Sequence, residues 1–328
     1  MRGLNLRVDF RKMRQKYGIL LVLVVLFVIS SLLNENFLSI RNLTNISRQI
    51  SITTILAFGE TILIICGMLD LSCGSVLALA GLLSVSLYKT TGDLFLAFLL
   101  AIAIAVLCNI LNGLMVTKFD TPPFIATLAM MTMARGAALL YTNGQNIYQI
   151  GNYIVFGQGS IGGVPTPIIF LVLIAIVTWY LLNHTRLGRS IYAIGGNEEA
   201  AIASGINVKR VKMKAYIING LFVGLAGVIF MSRVNAGLPN GAVGFEFEAL
   251  TASIIGGTSF SGGIGTAWGT IIGAFIVGIL NNIMNLVGLN AYLQQIIRGA
   301  IIALAVIYDM YAKKMRVKRK LGSIEEAA

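Results

Sequence analysis

The chain alternates long apolar runs with short polar connections. Apolar segments lie at about residues 17–33, 50–68, 74–88, 94–116, 122–142, 166–182, 215–232, 247–258, 264–286 and 292–311. A helix that crosses a bilayer needs about 20 apolar residues. The segments 74–88 and 247–258 are shorter, and the pattern leaves open whether they span or re-enter. It predicts an all-α, polytopic transmembrane helical bundle of about ten membrane segments.

Composition supports a membrane protein and excludes several other classes. Of the residues, 57% are hydrophobic and 12% are charged, whereas soluble domains carry roughly 25% charged residues. A soluble enzyme, a secreted scaffold and a disordered protein therefore fit poorly. The 36 glycines are typical of closely packed and broken membrane helices.

The basic residues predict the topology. Of 25 Lys and Arg residues, 18 fall in residues 1–16, 183–214 and 312–328. Basic flanks of membrane segments are retained in the cytoplasm and meet anionic lipid. We expect a cytoplasmic N-terminus 1–16, a transmembrane domain 17–311 with a cytoplasmic loop 183–214, and a cytoplasmic tail 312–328. No basic stretch is interleaved with stacking aromatics, so nucleic acid is excluded as a partner.

Enzymatic and metal chemistry find little support. The chain has three cysteines without a CxxC spacing and a single histidine, His184, which argues against a metal site or a disulfide framework. It has no nucleophile–base pair and no GxxxxGK[ST] phosphate loop. We predict no enzymatic activity and no bound cofactor; any ATP would be bound by another subunit.

Two glycine-rich stretches interrupt the apolar pattern. The first, GMLDLSCGS at 67–75, contains Asp70 and Ser72, which could cap the next helix or line a solute pathway at a helix break. The second, IGGTSFSGGIG at 255–265, contains Thr258 and Ser259. The pair suggests two weakly related halves of the chain; the alternative is two unrelated turns.

A long helix carrying asparagines follows each glycine-rich stretch. The asparagines are Asn109 and Asn112 in one, and Asn281, Asn282 and Asn285 in the other. Amides three residues apart share a helix face. They could bind a hydroxyl-rich solute or form hydrogen bonds between helices.

Among the charged residues that fall within apolar segments, we single out Glu60, Arg135 and Arg298. Such residues should face protein, water or an interface. Proton coupling through Glu60 finds little support because no second buried acid or histidine is expected to form a relay with it.

The loop 183–214 contains the signals of a short helix. Asn197 is a good N-cap, Glu198 and Glu199 occupy the first turn, and Gly205 is a C-terminal stop. These signals predict about two helical turns between two spans. Such a defined helix favours a docking element for a cytoplasmic partner over a simple connector.

Several motifs resemble one transporter family. Glu199-Ala200-Ala201 followed by Gly205 resembles the EAA-type coupling motif of ABC importer permeases. The stretch HTRLGRSIYAIGGNEEAAIASGINV is similar to the cytoplasmic loop of ribose-type sugar permeases. So are GETILIICGMLDLSCGS, FIATLAMMTMARG with YTNG, FEALTASIIGGTSFSGG and LNNIMNLVGLNAYLQQIIRGAIIALAV. The motifs run in order from about residue 40 to 311, and Cys73 departs from the small aliphatic residue more usual there.

The resemblance to the ribose, galactose and xylose type of sugar ABC permease implies a bacterial inner-membrane subunit. Its implied partners are a cytoplasmic ABC ATPase that holds ATP and Mg, an extracytoplasmic sugar-binding protein and a second permease copy. It implies ATPase coupling by Gly196, Asn197, Glu198, Glu199, Ala200, Ala201 and Gly205. For pathway or pivot roles, we consider Asp70, Ser72, Asn109, Asn112, Thr258, Ser259, Asn282 and Asn285.

Two alternatives stay open from the sequence. One is a permease for branched-chain amino acids or nucleosides within the same superfamily. The other is a secondary transporter driven by an ion gradient. The sequence names neither the sugar nor whether the two permease copies are identical.

Overall fold

The computed structural model describes residues 6–325, with side chains for residues 18–307 and 309–311. The predicted basic clusters at 1–16 and 312–328 lie outside the described side chains. The helices are α1 Leu6–Leu33, α2 Ile40–Ile65, α3 Cys73–Thr91, α4 Leu94–Thr117, α5 Pro123–Thr142, α6 Val155–Gln158, α7 Thr166–His184, α8 Arg186–Gly196, α9 Glu198–Ala203, α10 Val208–Val234, α11 Phe245–Ile255, α12 Ala267–Leu286 and α13 Ala291–Glu325. Short 3-10 turns occupy Glu35–Leu38 and Gly151–Ile154, and the strands β1 Ser160–Ile161 and β2 Val164–Pro165 form an antiparallel pair.

The helical membrane architecture predicted from the sequence is confirmed. Within the described residues, eight helices are long and apolar enough to cross a membrane: α2, α3, α4, α5, α7, α10, α12 and the Ala291–Tyr311 part of α13. The short segment 74–88 belongs to α3, whose 19 residues suffice for a span. By contrast, α11 has 11 residues, about 16 Å of helix, which is roughly half the hydrocarbon thickness.

The centre of the bundle is formed by α2 and α10, which are buried along most of their length, whereas α7 and α13 are largely exposed. Small residues allow α10 to lie close to its neighbours. At Gly224 its backbone lies against the carbonyl of Ala101 on α4. In lipid, close packing of this kind is a main source of helix association.

Three consecutive helices are repeated in the fold. The two triplets are α2–α4 and α10–α12. The first helix of each triplet packs on the second and third helices of the other: α10 packs on α3 and α4, and α2 packs on α11 and α12. The C-terminus of α2 lies beside the segment that joins α7 to α10, whereas α10 starts from that segment. The triplets therefore run in opposite directions through the membrane, as in inverted repeats of transporters.

The structure corrects the prediction that the two glycine-rich stretches occupy equivalent positions in the two halves. The stretch 67–72 joins the first and second helices of its triplet, whereas 256–266 joins the second and third. The two glycine-rich stretches are thus not equivalent. The asparagine-bearing helices α4 and α12 do correspond, since each is the third helix of its triplet.

Candidate functional site

Residues 185–207, here termed the α8–α9 segment, form two capped helices. The predicted helix is present as α9, although its six residues make fewer than two turns. As predicted, the Asn197 side chain accepts a hydrogen bond from the Ala200 amide at 2.9 Å. The preceding helix, α8, was not predicted; the Thr185 hydroxyl caps it by accepting from the Gly188 amide at 3.0 Å.

The α8–α9 segment is held against the membrane bundle by backbone contacts. A Cβ at Gly195 would collide with the carbonyl oxygen of Ile65, the last residue of α2. That oxygen also accepts the amide of Gly263 at 2.9 Å. The Tyr192 hydroxyl donates to the Gly265 carbonyl at 2.7 Å, and burial raises its pKa, which keeps the donor proton in place. The segment thus touches α2 and the glycine-rich loop 256–266 together.

The outer surface of α9 is open. The predicted coupling residues from Gly196 to Ala200 are exposed, whereas Ala201 is buried beneath them. The apolar side chain of Ile202 is 58% exposed. Gly205 adopts a φ of 80°, which L side chains rarely adopt, and so ends the helix as predicted.

A buried polar cluster fills the break between α2 and α3. One carboxylate oxygen of Asp70 accepts from the Ser72 amide at 2.8 Å and from the Ser72 hydroxyl. Its other oxygen accepts from Asn219 on α10 at 2.7 Å. Asn112 donates to the Ser72 hydroxyl at 3.0 Å, and Asn219 also donates to Asn109 at 2.9 Å. Asp70 therefore closes a local turn before α3 and binds α10, while Asn109 and Asn112 connect this cluster to α4.

Glu60 lies against this cluster, because its carboxylate accepts the Asp70 amide at 3.3 Å. The buried acid Asp70 is therefore a neighbour of Glu60, but the hydrogen bond between them comes from the Asp70 backbone amide, so the prediction that Glu60 forms no relay with a second acid is not contradicted. Several buried acceptor oxygens here have no hydrogen-bond partner among the described residues, including one each on Glu60, Asn112 and Asn219. Since buried polar atoms are usually satisfied, the region is suited to bound water or to a protonated carboxyl group.

A second polar group lines a cavity of about 600 Å³ between α11, α12 and α13. The Glu248 carboxylate accepts from Asn281 at 2.9 Å and pairs with the Arg298 guanidinium at 3.2 Å. The Arg298 Nε donates to the Asn281 side-chain oxygen at 3.0 Å. Glu248 and Asn281 are buried, whereas the Arg298 side chain is 34% exposed. Arg298 is thus placed against protein and cavity, as predicted for an intramembrane charge.

The remaining predicted pathway residues lie elsewhere. Thr258 and Ser259 are buried in loop 256–266, and the Ser259 hydroxyl donates to Asp309 on α13 at 3.2 Å. Asn282 exchanges hydrogen bonds with Asn42 at 2.8 and 3.1 Å. Asn285 accepts from Gln294 at 3.0 Å. The structure therefore gathers Asp70, Ser72, Asn109 and Asn112 in one cluster and leaves these four residues outside it; pathway roles stay predictions.

Sequence reasoning missed several residues of these sites. Asn219 holds the helix-break cluster together, and Glu248 binds both Asn281 and Arg298. By contrast, Arg135 is one of the intramembrane charges expected from the sequence to face protein, and it donates to the carbonyls of Pro239 and Gly241 at 2.8 Å. The charge of Glu248 within a short apolar segment was a usable signal, since intramembrane acids are rarely without function.

Comparisons with known proteins agree with this architecture. A family model described as a branched-chain amino acid transport system permease component matches residues 42–306. The ribose import permease protein RbsC of Bacillus subtilis is 42% identical over 306 residues, which are 92% of this chain and 95% of that protein. RbsC of Escherichia coli strain K12 is 42% identical over 88% of this chain and 92% of its own length. The D-allose transport system permease protein AlsC of that strain is 36% identical over 93% and 95%, respectively.

No solved structure matches the chain. The family match covers most of the transmembrane domain, and the relatives align along nearly their whole length. The chain belongs to this family of transport-system permease components. It is a multi-pass membrane protein and acts in transport.

Proposed function

We propose that the chain is the membrane subunit of an ATP-driven ABC importer for a monosaccharide. Support comes from the α8–α9 segment, which is exposed on its outer face and packed against both α2 and loop 256–266. A docking element for a motor subunit needs both properties. The relatives named for ribose import and for D-allose transport support a sugar as the substrate.

In this proposal a cytoplasmic ABC ATPase docks on residues 196–205 and holds ATP and Mg. Closure of the ATPase pair pushes the α8–α9 segment, which passes the force to Ile65 on α2 and to loop 256–266. Loop 256–266 transmits this force to α13 through the hydrogen bond from Ser259 to Asp309. The push alters transport only if docking is stronger in one membrane conformation than in the other.

The other partners follow from the same proposal. A binding protein delivers the sugar on the side opposite the α8–α9 segment, and a second copy of the chain completes the membrane unit. The exposed apolar side chains of α13, such as Ile296 at 68% and Leu304 at 66%, are available to a second copy or to lipid. Both termini then lie in the cytoplasm of a bacterial inner membrane.

Two competing functions have a specific observation in their favour. The matching family model carries the name of branched-chain amino acid transport. The contact of Glu60 with Asp70 would suit a proton-coupled carrier that needs no ATPase. The transported substrate distinguishes the amino-acid permease from the proposed sugar importer. The energy source of uptake distinguishes the proton-coupled carrier from it.

Reconstitution tests the proposal. The chain is tagged and purified from its native membranes with the proteins that accompany it, and the complex is placed in liposomes. We expect uptake of a labelled monosaccharide only with ATP at the ATPase and binding protein on the other side. Uptake of L-leucine instead would favour the amino-acid alternative. Uptake by the chain alone under a proton or sodium gradient would overturn the ABC assignment.

A further inference from the structure

The cavity between α11, α12 and α13 has the location of a transport site. Its floor is α11, which begins at Phe245 and ends at Ile255 beside loop 256–266. Eleven residues extend about 16 Å, so the start of α11 lies near mid-depth in a hydrocarbon core of about 30 Å. Discontinuous helices that end near mid-membrane commonly form substrate sites in transporters.

The lining of the cavity combines apolar walls with a few polar groups. Val277, Met284 and Ile301 contribute apolar surface, and Glu248 and Arg298 contribute opposite charges. The volume of about 600 Å³ falls in the usual range for small-molecule sites, which is roughly 300–1,000 Å³. Glu246 lines the cavity as well, so its polar groups include two carboxyl groups, one guanidinium and the amides of Asn281 and Gln295.

The polar groups are incompletely satisfied. Arg298 uses Nε for Asn281 and Nη1 for Glu248, and its Nη2 donates to no atom of the described residues. The Gln295 amide, which also lines the cavity, has no hydrogen bond to the described part of the chain. These donors are accessible, since Gln295 is exposed and the Arg298 side chain is 34% exposed. Both residues line a space large enough for a ligand.

We propose that this cavity is a sugar-contact site within the permease, with Gln295 and Arg298 binding hydroxyl groups and Glu248 and Asn281 positioning Arg298. A sugar hydroxyl both donates and accepts hydrogen bonds, so it fits an amide beside a guanidinium. The C–H faces of the ring fit the apolar walls. This proposal rests on the proposed sugar import function and adds a selective step inside the membrane.

The cavity is also connected to the docking surface. Arg298 lies on α13, while its partners lie on α11 and α12. Further along α13, Asp309 accepts the Phe260 amide of loop 256–266 at 2.9 Å. Loop 256–266 thus contacts α13 and also joins α11 to α12, so we expect its movement to act on all three walls of the cavity.

Cysteine labelling in the reconstituted complex tests occupancy. Gln295→Cys places a thiol in the cavity, and Tyr292→Cys is the matched control on the same helix, because Tyr292 is 76% exposed and outside the cavity lining. The three native cysteines are buried. The probes are D-ribose, D-allose and L-arabinose, and the sugar that the complex transports is identified first. That sugar should slow maleimide labelling at position 295 and leave labelling at position 292 unchanged.

Equal labelling rates at position 295 with and without a transported sugar would overturn the cavity site and leave the import function intact. Labelling that responds to lipid acyl chain but not to sugar would overturn it as well, in favour of a lipid. If the complex transports none of the sugars under ATP, the proposed function itself fails, and the two failures are thus distinguishable.

Substitution provides a second test, in which uptake is normalised to the amount of folded complex so that a folding defect does not affect the result. Changing Glu248→Gln together with Arg298→Gln removes both charges and leaves neither unpaired. Uptake per folded complex should fall about tenfold or more, the effect of losing a hydrogen bond to a charged group, while ATPase stimulation by the loaded binding protein is retained. Gln294→Ala is the control, since Gln294 binds Asn285 and the Leu289 carbonyl outside the cavity lining. Wild-type uptake by the double variant would contradict the assignment.

Discussion

Substitution of Gly195 by alanine tests how the α8–α9 segment is held. The added Cβ would overlap the Ile65 carbonyl oxygen and lie 2.6 Å from the Gly263 nitrogen. Overpacking of this kind destabilises by roughly 1–3 kcal/mol. Losing the hydrogen bond from Gly263 to Ile65 adds roughly 0.5–1.5 kcal/mol. The attached state of the segment should therefore lose about 1.5–4.5 kcal/mol.

Hydrogen exchange measures this effect directly, because local opening exposes the amides of the segment. A loss of that size corresponds to exchange that is about 10- to 2,000-fold faster in α8 and in loop 256–266. Gly196→Ala is the matched control, since a Cβ at Gly196 meets no atom within 4 Å. Exchange that rises equally in both variants, or in neither, would refute the reasoning.

Three further substitutions probe the same account. Gly205→Leu forces a side chain onto a φ of 80° at a cost of roughly 1–2 kcal/mol; ATPase activity should persist and uptake should fall, and normal uptake would remove the coupling role. Asp70→Ala leaves the Ser72 and Asn219 donors unpaired and should lower the thermal stability of the purified protein far more than Asp70→Asn does; equal melting temperatures would contradict the cluster's structural role. Asp309→Asn weakens the link to loop 256–266 and should reduce uptake per ATP hydrolysed, which an unchanged ratio would disprove.

Hydropathy located the membrane helices because lipid leaves a spanning backbone few options. Capping residues located α9, because Asn197 and Gly205 act on neighbouring backbone atoms. Both kinds of pattern are local in the chain. The helix α8 escaped notice because its three glycines at 188, 195 and 196 lower helix propensity, and its packing against α2 outweighs that loss.

The cavity could not be predicted from local patterns. Glu248 and Arg298 are 50 residues apart in sequence and meet only because α13 packs on α11. Asn281 and Asn282 are adjacent on α12, yet Asn281 lines the cavity and Asn282 pairs with Asn42. When a helix is apolar on most sides, periodicity does not indicate which of its polar residues faces which neighbour.

In the proposed mechanism, an ATPase drives sugar through this chain by way of the α8–α9 segment. Uptake of labelled sugar by the reconstituted complex, with ATP and binding protein each omitted in turn, tests it most directly. Uptake is expected only when ATP and binding protein are both present. Equal uptake without ATP, sustained by an ion gradient across liposomes that hold this chain alone, would contradict it.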